Sequence, residues 1–305
     1  MNPSLGIALK LASVALFTVM AALIKDVSAR VPSGEVVFFR SAFAIPVILI
    51  WIAARGELAT GLRPVNAMGH VWRGLVGTAA MGLSFLGLGL LPLPESTAIG
   101  YAMPLLTVIF AAMFLGEEVR AFRLSMVALG MVGVLIVLAP RLGAGGALSA
   151  EQTLGAIATL AGAAFAALAQ IFISKMVQTE RTSAIVFWFS VTATVLSLAT
   201  IPFGWVKPGL SDAAILIGIG LIGGVAQIFL TSSYRFADAS VVAPFDYASM
   251  IGALAIGYWV FGEVPTWTML AGAALIIGAG IMIIWRERQL GLERARRRKA
   301  MSPQG

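Results

Sequence analysis

Apolar residues run along this chain in long unbroken stretches, and charged residues collect between them. Ten stretches are legible, at about 5–24, 35–54, 72–91, 96–115, 122–140, 153–173, 183–202, 212–232, 240–261 and 266–285. Each approaches the roughly 20 residues that an α-helix needs to cross a hydrocarbon core. Backbone polar groups in lipid must be satisfied within a helix or a closed barrel. The stretches are continuous rather than alternating, so the pattern predicts ten transmembrane α-helices. The longest connectors, 55–71 and 141–152, are too short to fold alone. The first stretch has no positive charge before it and no clear cleavage site after it, so it is expected to be retained as a helix.

Composition points the same way. Hydrophobic residues make up 59% of the chain, charged residues 11%, and the mean hydropathy is +0.95. A soluble domain carries about a quarter charged residues. Most of the outer surface must face lipid, and the function must lie in or across a membrane. The net charge of +7 would suit nucleic acid, but its placement argues otherwise. One set of connectors carries Arg55, Arg63, Arg73, Arg120, Arg123, Lys175, Arg181 and Arg235, and the tail adds seven more from Arg286 to Lys299. The opposite set holds only Lys25, Arg30, Arg141 and Lys207. This is the positive-inside asymmetry. It predicts a multi-pass membrane protein with both termini cytoplasmic, and it excludes nucleic acid as a partner. The tail, 286–305, is expected to be a solvated anchor beside anionic headgroups; no protein partner is implied.

The chain has no cysteine and one histidine, His70. That excludes disulfides, thiolate metal sites and cysteine nucleophiles, and no metal or cofactor is expected. His70 is expected to be solvated in the connector between the second and third helices. No phosphate-binding loop is present, so transport would run on a gradient or downhill. A lipid-modifying enzyme would need clustered Asp, His, Ser or Cys near the interface, and the carboxylates here are scattered.

The chain also repeats itself. A shift of 146 residues sets Gly74-Leu75 on Gly220-Leu221, Gly77 on Gly223, Ala80 on Ala226, Tyr101-Ala102 on Tyr247-Ala248, and Gly116-Glu117 on Gly262-Glu263. A shift of 149 sets Leu5-Gly6 on Leu154-Gly155, Leu11-Ala12 on Leu160-Ala161, and Val37-Phe38 on Val186-Phe187. Each half then holds five helices, an odd number, so the second enters the membrane inverted. The expected domains are 1–145 and 146–285, followed by the tail. Inverted repeats are a common plan of secondary transporters, with the substrate near the midplane between halves.

Ten helices in a five-plus-five repeat, Arg40 in the second helix, and a Gly-Glu pair closing the fourth and ninth resemble the EamA family of the drug/metabolite transporter superfamily. Within it the chain is most similar to bacterial amino-acid and metabolite exporters of the YddG type. The resemblance implies a basket of helices 1–4 and 6–9 around a central cavity, with helices 5 and 10 peripheral. It implies alternating-access export of small metabolites across the bacterial inner (plasma) membrane, amino acids including aromatic and apolar ones being favoured. The alternatives are uptake or exchange of a larger metabolite, such as a nucleotide-derived compound or vitamin, or multidrug efflux. The family's mid-helix proline in helix 4 is matched by Pro104, but helix 9 carries Pro244 at a different register. That mismatch predicts breaks at different depths in the two halves.

The candidate substrate-binding residues are those whose polarity is costly in lipid, with aromatics that can stack on cargo. Asp246 is the sharpest, as an amine or proton site or as a structural partner of Lys10 or Arg235. Lys10 is expected to snorkel, to pair, or to contact a substrate carboxylate. Tyr101 and Tyr247 are repeat mates that can face the cavity or anchor at the interface. Gln170 and Gln227 are amides on cavity helices, able to contact cargo or to join helices. Phe17, Phe85 and Trp188 are weaker aromatic candidates. Arg40 is expected either to serve as the family's helix-2 arginine or to pair structurally with Glu35, Glu95 or Glu263. Glu117 and Glu263 are expected to be helix-end devices that accept hydrogen bonds from a neighbouring turn, with a gate as the alternative, and Gly220-x-x-x-Gly224 to allow close helix packing.

Overall fold

The computed structural model describes residues 3–115, 121–142, 150–176, 179–236 and 243–301. Among these residues the apolar stretches become ten helices. They are α1 (Pro3–Val27), α2 (Ser33–Ala53), α3 (Ala67–Leu90), α4 in two pieces (Leu93–Gly100 and Ala102–Leu115), α5 (Ala121–Leu142), α6 (Ala150–Met176), α7 (Thr182–Leu198), α8 (Leu210–Phe236), α9 (Ala248–Phe261) and α10 (Trp267–Met301). Eight spans are long and apolar enough to cross a bilayer; Thr182–Leu198 and Phe245–Phe261 are shorter. The helix of α10 continues through 301, beyond its apolar span Trp267–Arg286.

The breaks in α4 and α9 do not fall at different depths. In α4 the two pieces meet at Tyr101, and α9 is preceded by a 3₁₀ turn, Ala243–Tyr247. The junctions therefore share a register, 146 residues apart. The two prolines reach it differently. Pro104 has no N–H, so the carbonyl of Gly100, four residues back, loses its helical partner. Pro244 lies in the opening turn itself, where its fixed φ and missing donor are tolerated.

Packing repeats across the halves. Helix α3 lies on α6 as α1 lies on α8, and α2 contacts α8 as α7 contacts α3. The pairs α2–α7, α4–α9 and α5–α10 join each helix to its own repeat mate. Exchanging α1–α5 with α6–α10 maps these contacts onto one another, as expected of inverted repeats. Small residues make the close crossings possible. A Cβ on Gly220 would lie 2.8 Å from the Phe39 carbonyl oxygen, and one on Gly224 2.9 Å from Val47 Cβ, so Gly220-x-x-x-Gly224 seats α8 on α2. Buried side chains gather between α4, α5, α6, α9 and α10, between α1, α2, α3 and α8, and between α2 and α7.

Helix α3 begins at Ala67, earlier than the hydrophobic pattern indicates, because its first turns carry His70 and Arg73. Asn66 caps it, accepting from Gly69 N at 3.0 Å. His70 is consequently not solvated. It is 4% exposed, with Nε2 3.3 Å from Glu180 Oε1. Glu180, in the turn between α6 and α7, also accepts from the backbone N–H groups of Val65 (2.8 Å) and Asn66 (2.6 Å). Burial alone would raise the pKa of Glu180, but the two backbone donors, and then His70, outweigh it and hold the carboxyl below its ordinary value.

A carboxylate depressed by folding stabilises the native state above its unfolded pKa and loses that contribution as pH falls through its folded pKa. Glu180→Gln is therefore expected to cost about 2 kcal/mol near pH 7, the scale of hydrogen bonds to a charged group. The gap should close as pH falls below the ordinary carboxyl value of 4.5. Thermal unfolding in detergent, followed by tryptophan fluorescence from pH 7 downward, measures it. A pH-independent gap would mean that the charge contributes nothing.

Candidate functional site

Two of the sequence-predicted residues meet across the repeat boundary. Lys10 of α1 and Asp246 of the turn before α9 form an ion pair of 2.7 Å. The Lys10 side chain is 1% exposed, so it does not snorkel; the Asp246 side chain is 49% exposed. The 3₁₀ turn presents Asp246 this way, and Ser249 Oγ donates to the Asp246 carbonyl at 2.7 Å, closing the turn onto α9. A buried ammonium thus faces a half-open carboxylate. A zwitterionic molecule offers both charges and can exchange with such a pair without adding net charge to a low-dielectric interior.

Tyr101 and Tyr247 also meet. Their rings pack edge to face at 5.1 Å, and both residues are 8% exposed, so neither is an interfacial anchor. Tyr101 Oη shares a 2.6 Å hydrogen bond with Ser249 Oγ and lies 3.4 Å from the Tyr247 carbonyl oxygen. The hydroxyl of one repeat therefore serves the helix junction of the other. Tyr247 Oη lies against Gly280 of α10, where no Cβ obstructs it.

A third locus contains a residue that hydrophobic patterning misplaces. Arg73 is not a connector charge; it lies inside α3. Its guanidinium carbon is 4.0 Å from the Phe189 ring centroid of α7, and that of Arg40 of α2 is 6.0 Å from the same centroid. Arg40 is 6% exposed. Among the described residues it pairs with none of the expected carboxylates. Glu35 accepts from Val206 N at 3.0 Å, and Glu263 is held by Lys25 at 2.9 Å. Arg40 Nε and Arg73 Nε and Nη1 are buried without a hydrogen-bond partner. Taking an ion out of water costs several kcal/mol, whereas a desolvated cation–π contact returns about 2 kcal/mol. The ring alone does not balance two neighbouring cations.

The remaining candidates are dispersed. Gln170 and Gln227 are half-buried on α6 and α8. Phe85 is buried in the apolar cluster between α1, α2, α3 and α8, and Phe17 packs against that cluster. Trp188 donates its indole N–H to the Leu62 carbonyl at 2.9 Å and lines a cleft of about 270 Å³ with His70 and Thr192. Glu263 accepts from Leu93 N at 2.8 Å, as expected of a helix-end acceptor. Gly262 sets it there: its φ of +65° ends α9 in the left-handed region that favours glycine. Glu117 and the side chain of Arg235 lie outside the described residues.

Comparison with known proteins extends this picture. The profile of the EamA-like transporter family matches residues 4–139 and 153–285. The pseudopaline exporter CntI of Pseudomonas aeruginosa is 28% identical over 268 residues, 88% of this chain and 91% of that protein. The S-adenosylmethionine uptake transporter of Rickettsia bellii is 29% identical over 288 residues, 94% of this chain and 95% of that protein. The riboflavin transporter of Rhizobium johnstonii is 28% identical over 257 residues, covering 84% and 82%. A solved crystal structure, 21% identical, superposes with a TM-score of 0.66 over 95% of this chain and 99% of that one, which shows a common fold.

Proposed function

This chain belongs to the EamA-like transporter family and is a membrane transporter rather than an enzyme, and from that premise we propose that it exports small zwitterionic metabolites, amino acids including aromatic and apolar ones, by alternating access. The observation that carries this reading is the Lys10–Asp246 pair, one charge from each half, with its carboxylate half open. An amine of the cargo would take Asp246, and its carboxylate would take Lys10. Two inverted halves, 1–145 and 146–285, would rock around this region. Their exchange-symmetric packing and the two stretches matched by the family profile support the division. Both termini would face the cytoplasm, which the distribution of Lys and Arg supports.

A second reading, uptake or exchange of a larger metabolite, is favoured by Arg73 joining Arg40 in the interior. The relatives that take up S-adenosylmethionine or carry riboflavin point the same way. One experiment separates the two. Proteoliposomes are loaded with unlabelled compound and offered labelled phenylalanine, leucine, S-adenosylmethionine or riboflavin, with and without an imposed pH gradient. The expected result is counterflow of the amino acids well above that of empty liposomes. Amino acids entering no faster than into empty liposomes would overturn the first reading. Movement of the larger compounds alone would establish the second.

A further inference from the structure

We propose that Arg40 and Arg73, together with Phe189, form an anion subsite on the transport path that holds a carboxylate group of the cargo. This inference rests on the transporter reading but not on the Lys10–Asp246 pair. Its first support is the imbalance of charge. Two guanidinium groups share one ring, three of their buried nitrogens have no partner, and among the described residues no carboxylate forms an ion pair with either. Such groups present planar N–H forks that match a carboxylate, and they are less heavily hydrated than an ammonium.

Position is the second support. At the shift of 149 that aligns the repeats, Arg40 falls on Phe189, so the two are repeat mates facing one another where α2 packs on α7. A pseudo-symmetric contact of this kind lies on the boundary between halves, where inverted-repeat transporters bind substrate. Arg73 is added from one half only and breaks the symmetry; its counterpart at a shift of 146 is Ile219.

The third support is the space made for the charges. A Cβ on Gly77, one turn beyond Arg73, would collide with Arg73 Nη1 and lie 2.8 Å from Phe189 Cε2. Its repeat mate Gly223 leaves room at Arg40, where a Cβ would lie 3.4 Å from Nε. The two glycines flank the two arginines. The mid-helix setting favours a carboxylate over a phosphate. No helix N-terminus with free N–H groups, the usual partner of phosphate, belongs to the three residues.

The test is equilibrium binding of labelled 3-phenylpropionate to the full chain in lipid nanodiscs. Phenethylamine, which carries an ammonium in place of the carboxylate, and inorganic phosphate serve as competitors. Saturable binding of 3-phenylpropionate is expected, with phenethylamine competing at least tenfold more weakly than unlabelled 3-phenylpropionate. Arg40→Gln and Arg73→Gln should each weaken it tenfold or more, and Gly77→Ala should weaken it by displacing Arg73. The ligand-free Arg→Gln variants should unfold at the same temperature as the parent or higher, because an unbalanced buried charge has been removed. A merely structural arginine would give a lower midpoint.

No saturable binding, binding indifferent to both arginine substitutions, or stronger competition by phosphate than by unlabelled 3-phenylpropionate would overturn the proposal. The two readings fail separately. Amino-acid counterflow without 3-phenylpropionate binding removes this subsite and leaves the transport reading. Binding with no amino-acid counterflow removes that cargo and leaves the subsite.

Discussion

Asp246→Asn is expected to slow counterflow in proteoliposomes by about tenfold or more, which corresponds to roughly 1.4 kcal/mol or more in the barrier. It is also expected to destabilise the protein. The substitution keeps the shape of the side chain and removes its charge, while Lys10, 1% exposed, keeps its own. Neutralising one member of a buried ion pair commonly costs 3–5 kcal/mol. Here Asp246 is half open and water can reach the pair, so a loss of about 2 kcal/mol is the appropriate scale. The double variant Lys10→Met, Asp246→Asn separates a strut from a site. Replacing both members of a buried pair with neutral groups is often nearly neutral for stability. The double variant should regain its thermal midpoint and still fail to move cargo. If counterflow returns together with stability, the pair only holds α1 to α9.

These residues show how far the sequence alone could be read. Long apolar runs set the helix number, because lipid permits few alternatives to a helix. The 146-residue shift was visible because glycine and tyrosine at helix crossings are fixed by geometry, and the structure places Tyr101 on Tyr247 at matching junctions. Asp246 pairs with Lys10, one of the two partners the sequence allows it, since an intramembrane charge requires company.

Arg73 was not legible, for a physical reason. Arg73 falls at the very edge of the apolar stretch that begins at about 72, where a charge is counted with the connector, and the first turns of α3 are polar on a face that packs inward. The same edge effect moved His70 from a supposed loop into a buried contact with Glu180. Aligning the prolines misled for a different reason. A proline breaks the hydrogen bond of a residue one turn away, so equal breaks need not align equal prolines. Phe189 gave no signal of its own, because one phenylalanine on an apolar helix looks like any other. Only its register, opposite Arg40, could have marked it.

Glu263→Ala is expected to have the largest effect on stability of the single substitutions, because both members of its ion pair are largely buried. Lys25, near the end of α1, donates to the Leu91 carbonyl at 2.6 Å and pairs with Glu263 Oε1 at 2.9 Å, while Glu263 Oε2 accepts from Leu93 N at 2.8 Å. The side chains are 14% and 16% exposed. One carboxylate thus binds the end of α1 and the start of α4, both in the first half, to the end of α9 in the second. It also sits at the positive N-terminal end of α4, which adds to its attraction. Alanine leaves a largely buried ammonium and a buried N–H without this partner, at a cost of about 3 kcal/mol. Glu263→Gln keeps an acceptor for Leu93 and loses the charge, at a cost of about 1 kcal/mol.

The knot joins the halves on one face, so weakening it should also favour states in which that face is open, and a bias of 1–3 kcal/mol changes such populations roughly 5–150-fold. The chain contains no cysteine, so a single Ser96→Cys, at a position 5% exposed in α4, reports opening through its rate of reaction with a membrane-impermeant maleimide. That rate should rise about tenfold in the Glu263→Ala background and less in Glu263→Gln. Lost stability with an unchanged labelling rate would show that the knot braces the fold and does not govern access.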